Sequence, residues 1–257
     1  MALIAAERVK LVSTRSAWSC AALVLTVMIG FGMLIVGNHV EGTFTPTVAS
    51  TQFGYPFALA VITVLAALSA TTEFRVGTIY TSYLAVPRRT PILLAKALVV
   101  AVFAFCVGEL AAFGAWGAGY LVAPDGLALD SAADWFMVAG TGPVFAFAAV
   151  IGVASGLFLQ HSAGVALLIV YVLIAEDAVA AIPEVGIEIH RWLPFNVAKK
   201  FLSGDGGASG GRNGGNAQVL SDSPLSQPAA LGYFAACALI LLALAVRSAK
   251  KRDSSDE

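Results

Sequence analysis

Residues Leu93–Val122 read LLAKALVVAVFAFCVGELAAFGAWGAGYLV. These 30 positions contain only two of the Asp, Glu, Lys and Arg type, Lys96 and Glu109. A membrane-crossing helix needs about 20 mostly apolar residues. This run offers half as many again, enough to tilt or to project beyond the bilayer. An open strand cannot cross hydrocarbon, because its N–H and C=O groups would go unpaired, and the alternation of a barrel strand is missing. The run is expected to be a helix with bilayer as its solvent.

Five further runs read the same way: Ala17–Gly37, Gly54–Thr71, Trp135–Leu159, Gly164–Ile182 and Ala229–Val246. Over the whole chain of 257 residues, 58% are apolar and 12% charged, against about 25% charged in a soluble domain. The expected fold is therefore an all-α polytopic membrane protein with six transmembrane helices. Residues 1–16 form an N-terminal segment, 17–248 a single six-span domain and 249–257 a tail. A net charge of −1 excludes a basic nucleic-acid binder, and the composition excludes a disordered chain. Cys20, Cys106 and Cys237 all sit in apolar runs, where they read as small packing residues.

Basic residues set the expected direction. With the N-terminus inside, 11 of the 15 Lys and Arg residues fall in cytoplasmic segments; the remaining four, Arg191, Lys199, Lys200 and Arg212, share one long outer segment. That bias obeys the positive-inside rule with both termini cytoplasmic. Trp18, Trp116 and Trp135 lie near expected span ends, where indole rings favour the headgroup layer. The first run follows about 15 polar residues and lacks a small-residue cleavage site, so it reads as a true span. Leu3–Val12, ahead of it, mixes apolar and charged positions and suits a short interfacial helix.

The segment between the second and third spans carries the most information. In Thr72–Arg89, Val76, Ile79, Tyr80, Tyr83 and Leu84 recur at three- and four-residue steps and draw an apolar stripe on a helix. Thr71 or Thr72 suits its cap, Glu73 its first turn, and Pro87 its stop. Such a helix either lies on the membrane or forms a docking surface for a soluble partner. Gly77 favours close approach by another backbone, since glycine inside a helix costs about 1 kcal/mol relative to alanine.

The stretch Glu73–Lys96, with its Glu-x-x-x-Gly-Thr start, Pro-x-Arg turn and later Ala-Lys, resembles the cytoplasmic loop of ABC-2-type permeases, the membrane subunits of type-two ABC exporters. Glu7–Trp18 resembles the N-terminal segment of actinobacterial members, and Leu193-Pro194-Phe195-Asn196 a motif after the fifth span. The resemblance implies six-helix subunits, paired with a second copy or a homologous permease, with one soluble ABC ATPase docked under each. It makes residues 72–86 a coupling helix and carries that role to Glu73, Arg75, Gly77, Thr78 and Ile79. It also implies short outer re-entrant helices after span 5 and a bacterial plasma-membrane location. The chain has no Gly-x-x-x-x-Gly-Lys-[Ser/Thr] sequence, so ATP and Mg would be held by the partner. The expected substrate is a drug, lipid or peptide of hydrophobic or amphipathic character.

Other polar residues admit plainer readings. Glu109 lies about 24 Å along the third span. It is either a substrate-path or gate residue, or a neutral acid hydrogen-bonded to a neighbouring helix. Glu176 and Asp177 read as interfacial and His190 as a surface residue; Glu184 and Glu188 share a helix face without a histidine to complete a metal site. Gly152-x-x-x-Gly156 permits close helix packing, and Pro143 suits a kink. Residues 203–228 hold seven glycines and read as a flexible outer loop; the Gly207-Ala208-Ser209-Gly210 match to an intramembrane protease signature is chance there. An ATP-independent channel or secondary transporter is the competing class.

Overall fold

A computed structural model describes residues 2–38, 46–76, 89–124, 126–159, 162–203 and 221–253. Helix dominates them, and no strand occurs among them. In chain order the helices are α1 (Ala2–Ser13), α2 (Arg15–Gly37), α3 (Val48–Thr51), α4 (Tyr55–Val76) and α5 (Arg89–Val122). They continue with α6 (Ala132–Ala139), α7 (Thr141–Leu159), α8 (Ser162–Val170), a π segment (Tyr171–Ala175) and α9 (Glu176–Ala180). The last three are α10 (Gly186–His190), α11 (Pro194–Ser203) and α12 (Gln227–Asp253).

Among the described residues five helices, α2, α4, α5, α7 and α12, are long and apolar enough to cross a membrane. Leu23 and Leu34 of α2, Leu110 of α5, and Leu239, Ile240 and Leu244 of α12 face outward. An apolar surface of this extent in water would drive association, whereas hydrocarbon accepts it at no cost. The chain is built as a multi-pass membrane protein.

At the centre stands α7, packed against α4, α5 and α12, while α2 lies along α4 and α5. About two thirds of α7 is buried, including Val144, Phe145, Gly156 and Leu157. Its small residues let it approach α4 closely. A methyl group on Gly156 would sit 2.5 Å from the Ala67 carbonyl oxygen, and one on Gly152 would collide with that of Thr63. The Gly-x-x-x-Gly spacing thus serves packing within one chain, where contact between backbones replaces the hydrophobic effect that lipid removes.

Two expected spans are not simple helices. The fourth, Trp135–Leu159, is divided at Gly140 into α6 and α7. Ser131 and Asp134 start α6 with a reciprocal capping box. Pro143, where a kink was expected, lies within one turn of the break at Gly140. It is the third residue of α7, where a missing N–H costs nothing. The fifth, Gly164–Ile182, is helical but passes through the π segment between α8 and α9.

The first and second runs keep close to their expected bounds, with α4 extended through Glu73 and Arg75. Thr71 and Thr72 therefore cap nothing; their hydroxyls donate to the carbonyls of Ala67 and Leu68 one turn back. The rest of the expected coupling helix, from residue 77, lies outside the described residues. A sharp corner at Thr14 separates α1 from α2. The Trp18 indole closes it by donating to the Val12 carbonyl at 2.8 Å.

Candidate functional site

Where α4 ends and α5 begins, four charged side chains meet. Glu7 and Lys10, three residues apart on α1, present opposite charges from one face and pair at 2.8 Å. Glu73 comes from the last turn of α4, and Lys96 from the third turn of α5. The Lys96 ammonium lies 2.8 Å from Glu7 Oε2 and 2.9 Å from Glu73 Oε1. Lys10 reaches the same Glu73 oxygen at 3.3 Å. Two carboxylates thus alternate with two ammonium groups, and the ring is neutral when all are ionised.

Burial gives the ring its importance. Glu7 and Lys96 are each only 5% exposed. A lone charge at that depth is strongly disfavoured, and only a partner with good geometry makes it tolerable. Burial by itself pushes the Glu7 carboxyl up, but Lys96 and Lys10 outweigh it and hold the group below its ordinary value. Burial likewise pulls the Lys10 ammonium down, and Glu7 and Glu73 more than reverse this, so it stays above its usual range. Glu7 and Lys10 are thus each favoured in their charged form by their ring partners.

Beside the ring a cavity of about 480 Å3 is bounded by α1, α2, α4 and α5, with Thr14, Cys20, Ser69 and Arg75 on its walls. Of the residues expected to face an ATPase, Glu73 sits in the ring and Arg75 is exposed at this cavity. Gly77, Thr78 and Ile79 lie outside the described residues. Glu109 is elsewhere, 13 positions and about 20 Å further along α5 than Lys96. Its carboxyl accepts the backbone N–H of Gly142 in the first turn of α7. That N–H has no partner within its own helix, so Glu109 supplies one across the Gly140 interruption. A methyl group on Gly142 would overlap the Glu109 carboxyl.

At the opposite end of α4 lies a second polar network, one that sequence reasoning missed. Glu176 is 3% exposed rather than interfacial. Its carboxyl accepts the N–H groups of Phe195 at 3.2 Å and Asn196 at 2.8 Å, at the start of α11. His190 is 9% exposed and is not a surface residue. Its Nδ1 lies 2.9 Å from Asp222 Oδ1, and its Nε2 lies 3.5 Å from Asp177. Asn196 donates to the His190 carbonyl at 2.9 Å and to Asp222 at 2.8 Å. The partners of Asp222 hold its carboxyl below the ordinary value although burial alone would raise it. The end of the expected flexible loop is therefore tied down at Asp222; residues 204–220 lie outside the described residues.

The signals for both clusters were present but incomplete. A lone lysine among Leu93, Leu94, Ala95, Ala97 and Leu98 demands a buried anion, and Glu7 and Lys10 carry helix-pair spacing. Nothing local joins residues 89 positions apart. Glu184 sits in the turn before α10 with φ 69°, so it shares no helix face with Glu188, which pairs with Arg191 at 2.7 Å. No group of three His, Cys, Asp or Glu side chains among the described residues is set to hold a metal ion. Neither a family model, nor a curated protein, nor a solved structure matches the chain.

Proposed function

We propose that the chain is the permease subunit of an ATP-binding cassette exporter. It carries a hydrophobic or amphipathic substrate across the bacterial plasma membrane with ATP hydrolysed, in the presence of Mg, by a separate soluble subunit. On this reading it works beside a second copy of itself or a homologous permease. Both termini and the 77–88 segment lie on the cytoplasmic side. The sixth crossing is the helical stretch from Ser162 to Ala180, which at 1.5 Å per residue reaches about 28 Å.

The observation that carries the reading is the charge ring. Glu73 stands four residues before position 77, and Lys96 eight after position 88, so both roots of that segment are bound to one another and to α1. A partner that pushed on the segment would move α4, α5 and α1 together, because packed helices shift as rigid units. Displacement at the surface would then reach the two helices that embrace α7. A channel needs no such fastening at the base of a loop.

The test is purification of the full chain from its native membrane in mild detergent. A stoichiometric ATPase should accompany it, and scrambling 77–86 should remove that ATPase while leaving membrane insertion unchanged. Full transport by the scrambled variant, or transport by the chain reconstituted alone, would overturn the assignment and favour a channel or secondary transporter.

A further inference from the structure

At the end of α4 remote from the charge ring, a cavity of about 450 Å3 opens between the start of that helix, the π segment and α11. Its size falls in the roughly 300–1,000 Å3 range of small-molecule sites. One wall is aromatic. Phe57 stacks on Phe31 of α2 with centroids 5.2 Å apart, and Phe53 leans on the same ring at 6.2 Å. The facing wall is Leu173 and Ile174 of the π segment, with Leu202 of α11 beside them. A π turn replaces regular helical hydrogen bonds and is frequent where a helix serves a site.

Charge enters this lining at one pair. Lys199 Nζ meets the Asp177 carboxylate at 2.8 and 3.2 Å, and the Asp177 side chain is 54% exposed. Another lining residue, Tyr55, is 4% exposed. Its hydroxyl is buried without a hydrogen-bond partner among the described residues, an unmet demand that folded proteins rarely leave standing.

We propose that this cavity binds a single-chain amphiphile with a zwitterionic headgroup. The chain lies on Phe53, Phe57 and Ile174, the cationic part of the head meets Asp177, and its anionic part meets Lys199. Volume limits the occupant to one chain. At about 30 Å3 per water-sized group, the space takes roughly fifteen such groups. The ion pair selects the head. An anionic head would face the Asp177 carboxylate and a cationic head the Lys199 ammonium. Only a head carrying both charges replaces both halves of the pair without stranding either. The site does not depend on ATP-driven transport, since binding belongs to the purified chain.

The experiment uses the full chain in maltoside detergent, with a lysophosphatidylcholine bearing a diazirine in its acyl chain and an uncharged fatty-alcohol diazirine of equal length. The zwitterionic probe should form adducts on 53–57 and 173–177, and Ile174→Trp should cut them by about tenfold. Lys199→Gln should weaken labelling by the zwitterion several-fold and leave the alcohol's unchanged. Ile174 is exposed, so its replacement by cysteine and reaction with a bulky maleimide after folding gives the same block without a folding burden. Equal labelling of the wild type by both probes, adducts confined to other segments, or labelling indifferent to a filled position 174 would overturn the proposal. So would quantitative disulfide cross-linking of Ile174→Cys between two copies, which would make the cavity an interface.

Discussion

The two polar clusters, attached to opposite ends of α4, solve the problem of polarity in an apolar protein in different ways. The ring of Glu7, Lys10, Glu73 and Lys96 joins side chain to side chain, charge against charge. The cluster around Glu176 adds bonds from side chain to main chain: beside the contacts of Asp222 with His190 and Asn196, one carboxyl accepts two N–H groups of α11, and Asn196 donates to a carbonyl of α10. The first kind of bond ties long helices together and leaves each helix intact, so they can move as one body. The second completes short helices that could not hold their own ends. One end of the molecule thus fastens long helices to one another, and the other completes short ones.

That contrast can be broken most severely at Lys96. Lys96→Met leaves two carboxylates facing each other with one partly exposed lysine between them. Removing one partner of a buried pair costs about 3–5 kcal/mol, so the thermal midpoint in detergent should fall sharply. Combining Lys96→Met with Glu7→Gln should recover much of the loss, because the stranded charge goes too. If the double variant is as unstable as the sum of the two singles, the ring is not a coupled unit.

The opposite end should respond more weakly and more locally. Glu176→Ala removes the acceptor for two N–H groups, at about 1–3 kcal/mol for buried donors left unpaired. Hydrogen exchange at Phe195 and Asn196 should accelerate, while amides of α1 and the first turns of α5 keep their protection. Acceleration at both ends would show that the clusters are not separable.

The apolar runs located α2, α4, α5 and α12 because hydrophobic length is a local property, readable residue by residue. A reading by hydrophobic length alone passes over both interruptions. Gly140 opens the breaker cluster Gly140-Thr141-Gly142-Pro143, of which only Pro143 was read, whereas the Tyr171–Ala175 segment carries no such mark, and contacts from other elements meet both. Glu109 reaches Gly142 from another helix, and Glu176 faces α11. The candidate site was half legible. As site residues, Glu73 and Arg75 stood out only through the resemblance of their stretch to a permease loop. Lys96 announced a missing partner, but Glu7 is 89 residues away, and only the packing of α1 on α5 brings it there.

The smallest expected effect concerns Lys10, the most exposed member of the ring, with 44% of its side chain in contact with solvent. At neutral pH, Lys10→Gln should cost no more than about 1 kcal/mol, as for other exposed pairs. Its signature should appear in acid. Glu7 is held below its ordinary value, so its contribution is complete above that value and disappears as the pH falls through the lowered one. Lys10 is one of the two cations responsible for the lowering. Without it the Glu7 carboxyl moves back up towards its ordinary value, so the acid limb should still start at that value but be smaller and end at a higher pH than in the wild type. The Lys10 ammonium, itself raised, gives stability that is present below its ordinary value and lost as the pH rises through the higher one; the variant should lack that alkaline limb. Thermal midpoints measured across both limbs, at low and high salt, decide the matter. An acid limb that does not move would mean that Lys96 alone sets the charge state of Glu7, and that Lys10 lies outside the ring it touches.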